Sequence, residues 1–416
     1  MDFSLSERAQ TLRAEVTDFF DTSILPRDRD WADQVEHGGD TNPQFLRELR
    51  ATAFEKGLWN MALPRLADNE PGTRLSNLEF AHVAEVLGRL SWASMVFNCH
   101  APDVPNMEIL QMFGSEQQKA SYLEPLLHAR TRSSFAMTEP RVGSSDATNI
   151  ATRIAREGDH YVINGHKWFA TGAGNSQCSF LIVVGVTDPN AQRGRQHSMV
   201  IVPKDSPGVE IVRNLPVLHH VDVVAPHTEL RLNNVRVPVT NRLGEEGDGF
   251  LIGQARLGPA RVHHCMRAIG HCEVLLGLMI ERAHNRVTFG RELSGYSNVQ
   301  DAIAESRLEL EQARLIVQRT AWRLDNEGNH AARKDVSLIK VAVARMYHNI
   351  ANRGIQMLGA LGLTDDAPFA SALAKARAFR IYDGPDEVHL RTIFRLEARE
   401  RQGESLWPHY VHDAGQ

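Results

Sequence analysis

The stretch HYVINGHKWFA, residues 160–170, marks the point at which an otherwise helical chain changes its pattern. Asn164-Gly165 stands between two β-prone runs, which is a signal for a β-hairpin with a tight turn. Further short apolar runs follow, separated by Gly, Pro and Asn turns, at residues 179–186, 197–203 and 227–238. Their spacing predicts a small antiparallel β-sandwich or barrel over residues 134–244, and not βαβ units.

The sequence on both sides of this region has a helical period. Residues 75–90 place apolar side chains near one face, and Ser76 suits the N-terminal cap. In the C-terminal part, apolar side chains recur every three or four residues at Val299, Ile303, Leu310, Ala313, Val317, Ala321 and Leu324. We therefore predict a mainly α-helical protein with an N-terminal helical domain (1–133), a middle β-domain (134–244) and a C-terminal four-helix bundle (245–416).

Composition and charge limit the classes of protein to which this sequence can belong. The 416 residues are 42% hydrophobic and 23% charged, and the net charge of -5 gives no reason to expect a nucleic-acid partner. Four cysteines without CxxC spacing favour a reducing compartment. The acidic start MDFSLSERAQ is unlike a signal peptide, and no run approaches about 18 apolar residues. The sequence predicts a cytoplasmic protein with no membrane contact.

Two polar segments allow both a structural and a chemical interpretation. The loop MTEPRVGSSD, residues 137–146, has hydroxyls and amides suited to a phosphate or a flat heteroaromatic ring, although a plain linker is the commoner case. No GxGxxG or GxxxxGK[ST] motif supports a usual nucleotide fold. In RVHHCMRAIGHC, His264 and His271 share a helix face, as do Cys265 and Cys272. Without an HExxH motif we assign them to packing or surface positions and expect no metal.

The segment FRIYDGPDEVHLR, residues 379–391, carries three acids. Pro385 suits the first position of a helix, and Asp386 and Glu387 then complement the positive end of the helix dipole. Asp383 precedes the turn and has no such explanation. It is either an exposed turn aspartate or a catalytic base.

Five motifs resemble the acyl-CoA dehydrogenase family, in the right order and over nearly the whole chain. They are FAMTEPRVGSSD (135–146), HKWFATGAGN (166–175), NRVTFG (285–290), IQMLGALG (355–362) and RIYDGPDEVHL (380–390). The resemblance is greatest to the branch that in animals is fused to a kinase-like domain, and we expect no kinase-like part in this sequence. It implies FAD as cofactor, an acyl-CoA substrate, an electron-transfer flavoprotein as acceptor and a homodimer or homotetramer.

The resemblance also implies roles for individual residues. The positions that match FAD contacts are Met137, Thr138, Gly143, Ser144, Phe169, Thr171, Arg286, Phe289, Gln356, Gly359 and Glu387. Phe169 replaces the tryptophan that is usual in the family. The segments 286–289 and 356–359 would reach the FAD of a neighbouring subunit. The positions that match substrate contacts are Ser144, Arg261, Gly384 and Arg395.

Asp383 falls where most members of the family carry the glutamate base that removes the α-proton before hydride passes to flavin N5. Ala260, at the alternative location of the base, cannot serve. Because aspartate is one methylene shorter, two related reactions stay open: phosphate elimination from a 4-phosphoacyl-CoA, and oxidation of the nitroalkane-oxidase type. A flavin-free binding scaffold is the remaining alternative, and the polar groups at the matched positions speak against it.

Overall fold

The computed structural model describes residues 4–404, and for residues 256–258 it describes the backbone alone. The three parts follow one another in the predicted order: helices, a β-sheet, then long helices. The mainly α-helical fold with a central β-domain is confirmed.

The N-terminal part is built from helices connected by short irregular turns. They are α1 (Glu7–Phe19), α2 (Asp28–Trp31), α3 (Gln44–Glu55), α4 (Asn77–Leu87), α5 (Asp103–Phe113), α6 (Glu116–Gln118) and α7 (Glu124–Leu127). Ser76 caps α4 as predicted, because its hydroxyl accepts from the Glu79 amide while the Glu79 carboxylate accepts from the Ser76 amide.

The middle part is one eight-stranded sheet. Its strands are β1 (Arg132–Ala136), β2 (Arg153–Glu157), β3 (His160–Thr171), β4 (Cys178–Val186), β5 (His197–Pro203), β6 (Val209–Asn214), β7 (His227–Pro238) and β8 (Arg242–Leu243). The order is β6-β7-β3-β2-β4-β5-β8, with β1 beside β4. Most pairs are antiparallel, but β1 and β2 both run parallel to β4. Alternate residues of β4 face two cores, Phe180 toward the helices and Leu181 toward the other strands.

The predicted hairpin at Asn164-Gly165 is wrong. Strand β3 runs through both residues with a bulge, and the tight turn lies before it, at Gly158, where φ is 65°. Gly165 serves close packing instead of a turn: a Cβ there would lie 2.2 Å from the Thr152 hydroxyl oxygen. The sequence pattern is local, whereas the contact that requires the glycine comes from Thr152, which directly precedes β2.

The C-terminal part is a helical bundle. Its helices are α8 (Gly249–Asn285), α9 (Ser297–Ala331), α10 (Arg333–Leu358), α11 (Phe369–Phe379) and α12 (Asp386–Glu400), with a small hairpin of β9 (Val287–Thr288) and β10 (Arg291–Glu292) after α8. Helix α10 lies centrally and contacts each of the other four helices. Within residues 4–404, no helix combines the length and apolar character needed to cross a membrane.

Candidate active site

The loop between α11 and α12 holds Asp383 in an unusual conformation. Asp383 has φ of 55° and Gly384 has φ of 100°, so two consecutive residues occupy the left-handed region. The Asp383 carbonyl oxygen accepts hydrogen bonds from Arg261 Nε (3.1 Å) and Nη2 (2.9 Å) and from His389 Nε2 (3.1 Å). Three donors on one carbonyl fix the backbone of Asp383 and the point from which its side chain starts.

Buried groups beneath the loop support this geometry. Burial, together with the charge of Arg261, lowers the pKa of His389 to about 4, so its ring is neutral near pH 7. The ammonium group of Lys340 donates to the carbonyl oxygens of Phe379 and Gly384, and its Nζ lies 4.5 Å from the Phe379 ring centroid. The loop is therefore held from α8, α10 and α12 together.

The Asp383 carboxylate faces a histidine that our sequence analysis assigned to packing or the surface. His264 Nε2 lies 3.5 Å from Asp383 Oδ2, and both side chains are about one-fifth exposed (21% and 22%). Arg267 Nη2 lies 2.9 Å from His264 Nδ1. A signal was present in the sequence, since Arg261, His264 and Arg267 follow at three-residue spacing along α8.

Only one of the three acids in this segment has the features of a base. Asp386 is buried and accepts from Arg380 at 2.9 and 2.8 Å, with Arg345 Nε at 3.7 Å, so it has a structural role. Glu387 is exposed in the first turn of α12, as the dipole argument predicts. Among the residues that the structure describes, no group of three or more side chains is arranged to hold a metal ion.

A second group of predicted site residues lies where β1 and β3 end. The Trp168 amide donates to the Thr138 carbonyl at 3.0 Å, which brings the loop after β1 to the end of β3. At the second bulge of β3, Phe169 takes a φ of 50° and its ring is 42% exposed. Strain of this kind concentrates at ligand sites. Trp168 Nε1 is a buried donor for which the described residues supply no acceptor.

An ion pair beneath this loop anchors it. Lys167 Nζ donates to Glu139 Oε1, Met137 O and Val184 O, each at 2.8 Å. Glu139 also accepts from the Ala151 and Thr152 amides. Burial lowers the pKa of Lys167 to about 8, against the raising effect of Glu139. Burial alone would raise the pKa of Glu139, but Lys167 and the surrounding donors lower it.

Other contacts place the remaining residues of this half. Thr171 Oγ1 lies 2.8 Å from His227 Nδ1, and the Ser144 hydroxyl accepts from the Glu139 amide at 2.9 Å, which closes the loop on itself. Gly143 has open space, since a Cβ there would find only the Asn149 amide nitrogen within 4 Å.

Charged side chains of both halves act on Asp146 in the loop after β1. Hydrogen bonds from Thr148 lower the pKa of Asp146, and the charges of Arg193 and Arg391 lower it further. Arg391 lies on α12, so one of these charges comes from the helix that follows Asp383.

The other predicted contacts lie at the surface of the single chain. Arg286, Phe289, Gln356, Gly359 and Arg395 are all exposed, and the Phe289 side chain is 97% exposed.

Comparisons with known proteins cover all three parts of the chain. Family models for the N-terminal, middle and C-terminal domains of acyl-CoA dehydrogenase match residues 6–130, 134–235 and 247–396. The chain belongs to the acyl-CoA dehydrogenase family. The predicted resemblance is thereby confirmed.

Relatives of this acyl-CoA dehydrogenase family member include both bacterial and animal proteins. "Probable acyl-CoA dehydrogenase FadE2" of Mycobacterium tuberculosis is 49% identical over 406 residues, covering 96% of this chain and 98% of the relative. Acyl-CoA dehydrogenase family member 11 of Gallus gallus is 44% identical over 402 residues and covers 95% of this chain. The chain spans about half (51%) of that animal relative.

Solved structures agree with this assignment. A structure from Mycobacterium abscessus has a TM-score of 0.91 at 44% identity, covering 95% of this chain and 99% of that chain. The structure of PigA with FAD and proline has a TM-score of 0.83 at 24% identity, covering 96% and 100%, and at that identity it shows the fold alone.

Proposed function

We propose that this chain oxidises the Cα–Cβ bond of an acyl-CoA thioester to a trans-2-enoyl-CoA, with Asp383 as the base that removes the α-proton. The cofactor is FAD, and an electron-transfer flavoprotein is the proposed acceptor of the electrons. The observation that carries the proposal is the left-handed Asp383, whose carbonyl is bound by Arg261 and His389. Strain at one carboxylate, offset by three hydrogen bonds, supports a catalytic position.

The residues at the ends of β1 and β3 fit FAD. A flavin ring is flat and has several hydrogen-bond acceptors along its edge. Thr138 supplies a hydroxyl, the buried Trp168 Nε1 is a donor without an acceptor in the described residues, and Phe169 supplies an exposed aromatic ring. When bound, FAD supplies the two-electron acceptor for the hydride that leaves the β-carbon.

The chain's own residues account for the remaining chemistry. Asp383 Oδ atoms accept the α-proton, and the hydrogen bonds to the Asp383 carbonyl hold the backbone that carries this carboxylate. We assign Ser144, Arg261, Gly384 and Arg395 to the substrate side, and Met137, Gly143, Thr171 and Glu387 to the cofactor side. Arg261 would serve both the loop and the substrate, since its guanidinium already donates twice to the Asp383 carbonyl.

Helix length supports a site shared between subunits. Arg261 and Arg286 lie on or next to α8, 25 positions apart, which corresponds to about 38 Å along the axis. One flavin beside Asp383 cannot also be reached by Arg286 of the same chain. We therefore propose that Arg286, Phe289, Gln356 and Gly359 contact the FAD of a second copy, within a homodimer or homotetramer.

The first experiment is anaerobic bleaching of the flavin absorbance by a panel of acyl-CoAs. The panel contains straight-chain, 2-methyl-branched and 4-phosphorylated members, tested on the wild type and on Asp383→Asn. We expect one class to bleach the wild type and the variant to lose at least about a thousandfold in rate, since its amide cannot accept the proton. Bleaching at the wild-type rate by Asp383→Asn would remove Asp383 as the base. A purified protein that takes up no FAD would favour the binding scaffold.

A second candidate reaction is flavin-assisted phosphate elimination from a 4-phosphoacyl-CoA, and a buried cationic cluster favours it. Burial lowers the pKa of His100 well below its usual range, and the charges of Arg132, Arg267 and Arg50 lower it further. Arg132 Nε is paired with Asp103 Oδ2 at 2.7 Å, but its buried Nη2 has no acceptor in the described part of the chain. Excess positive charge beside His264 suits an anionic substituent on the acyl group.

The same panel separates the two reactions. Elimination predicts release of inorganic phosphate from the 4-phosphorylated substrate without net reduction of an added electron acceptor. Simple dehydrogenation predicts one acceptor reduced for each enoyl product and no phosphate release.

A further inference from the structure

The side of Asp383 that faces α8 is occupied by a histidine whose protonation the structure defines. Arg267 Nη2 lies 2.9 Å from His264 Nδ1. A guanidinium can only donate, so Nδ1 is the acceptor and carries no proton. The proton of the neutral ring is therefore on Nε2, the atom that lies 3.5 Å from Asp383 Oδ2.

We propose that His264 is a positioning residue for Asp383, which orients the carboxylate through its Nε2–H while Arg267 fixes the tautomer. The inference rests on the proposed function and deepens it. The backbone of Asp383 is held by Arg261 and His389, but those bonds end at the carbonyl and do not reach the carboxylate. His264 contacts the carboxylate itself. The 3.5 Å separation is long for a hydrogen bond, and such contacts commonly tighten when substrate binds.

Further geometry fixes the ring of His264. Tyr382 packs edge-on against it, with ring centroids 5.8 Å apart and an interplanar angle of 64°. Arg267 is held in turn by the Cys99 carbonyl, at 3.3 Å from Nη1. The chain of contacts thus runs from the N-terminal domain through α8 to the base.

Several charged or titratable groups surround the pair. On α8 they are Arg261, His263, Cys265 and Arg267. On other elements they are Lys340 of α10, Tyr382 of the loop between α11 and α12, His389 of α12 and His100 of the N-terminal domain. The arginines stay charged throughout the range in which a carboxylate titrates. A donor on Oδ2 stabilises the ionised form of Asp383, so removal of that donor favours protonation.

The test compares His264→Leu, which removes the donor, with His264→Gln, whose amide NH₂ can replace Nε2–H. Both are assayed as FAD-loaded protein by anaerobic bleaching between pH 5 and 9. For His264→Leu we expect bleaching about tenfold slower at pH 7 and an acidic limb of the pH profile moved about one unit to higher pH. We expect His264→Gln to stay close to wild type. His271→Gln is the matched control, because it lies on the same helix but bonds to Tyr347.

Each alternative result overturns the inference. If His264→Gln is as slow as His264→Leu, His264 acts by accepting a proton and not by positioning. If His264→Leu bleaches like wild type with an unchanged pH profile, the histidine has no role in orientation. Flavin content and melting temperature of each variant identify any loss that comes from misfolding.

The contact between His264 and Asp383 can also be measured without catalytic turnover. Such a measurement separates this inference from the proposed function. In ¹⁵N-histidine-labelled holoprotein, the His264 signal, identified by its loss in His264→Gln, should show the Nε2–H tautomer and should shift in Asp383→Asn. An Nδ1–H tautomer, or a signal that does not respond to Asp383→Asn, overturns the pairing. Failure of every acyl-CoA to bleach the wild type would instead reject the dehydrogenase reaction.

Discussion

At the scale of single residues, the site depends on a conformation that most side chains avoid. Gly384 has φ of 100°, and a Cβ at this position would lie 2.7 Å from His389 Nε2. That nitrogen is one of the donors to the Asp383 carbonyl. A glycine is therefore required both by the backbone angle and by the space.

We predict that Gly384→Ala displaces His389 and loosens the base. The expected result is flavin bleaching slower by about a hundredfold, since a shift of about 1 Å at the reacting group has that effect. Gly158→Ala is the control: it has φ of 65° but no atom within 4 Å of the new Cβ. It should cost about 1 kcal/mol of unfolding free energy and leave the bleaching rate unchanged. Equal rates for the two variants would contradict the role of the 383–384 turn.

At the scale of elements, one buried ion pair joins strand β3 to the loop after β1. Lys167 is fully buried, and its ammonium group binds the Glu139 carboxylate and two backbone carbonyls. Gly165, two residues earlier in the strand, lets Thr152 approach, and the Thr152 hydroxyl donates to the same carboxylate at 2.6 Å. The strand thus positions the loop that we assign to FAD.

We predict that Lys167→Met lowers the unfolding free energy by about 3 kcal/mol, because it leaves the Glu139 carboxylate buried without its counter-charge. The loop should loosen and FAD should be lost more readily during dialysis. Urea unfolding and flavin absorbance per subunit measure the two effects. Lys119→Met, which removes an exposed pair with Glu116, should cost less than about 1 kcal/mol and retain FAD. Full FAD retention by Lys167→Met would remove the loop-anchoring role.

Removal of both charges tests whether the pair acts as a unit. In the double variant Glu139→Gln, Lys167→Met, no uncompensated charge remains. The cost should therefore be smaller than the sum of the two single costs. An additive result would indicate that the two groups are stabilised independently.

At the scale of the whole molecule, apolar side chains remain on the surface of the single chain. Phe289 is 97% exposed and Leu363 is 71% exposed, and Leu308 and Leu315, seven residues apart on α9, are each more than half exposed. Monomers rarely expose such groups together. Their burial by a second copy, at about 25 cal/mol per Å² of apolar surface, supports the proposed oligomer.

We predict a light-scattering mass of two or four times the 46.5 kDa of one chain. Phe289→Ser should lower the FAD retained per subunit and weaken association in dilution experiments. Leu218→Ser, which changes a 55% exposed leucine of the β-domain, is the control and should alter neither quantity. A monomer that holds FAD in full would contradict a cofactor site shared between subunits.

The sequence by itself determined what depends on near neighbours along the chain. Helical periods predicted the two helical parts, short β-prone runs predicted the middle sheet, and the capping residue Ser76 was found where α4 begins. The five motifs identified the family because each is a short, continuous pattern. Asp383 was singled out as the acid that helix physics does not explain.

Only the tertiary structure decided which distant residues meet. Arg261 and Asp383 are 122 positions apart, and no local pattern indicates that α8 supplies the donors around the base. The role of His264 was missed because its partner, Asp383, lies far away in the sequence, in the loop between α11 and α12. Asn164-Gly165 has the sequence of a turn, yet it lies within β3. The glycine is needed there because Thr152 packs where a Cβ would be. The period of the apolar residues indicates the local environment of one helix or strand. A catalytic site depends on contacts between segments that are far apart in the sequence.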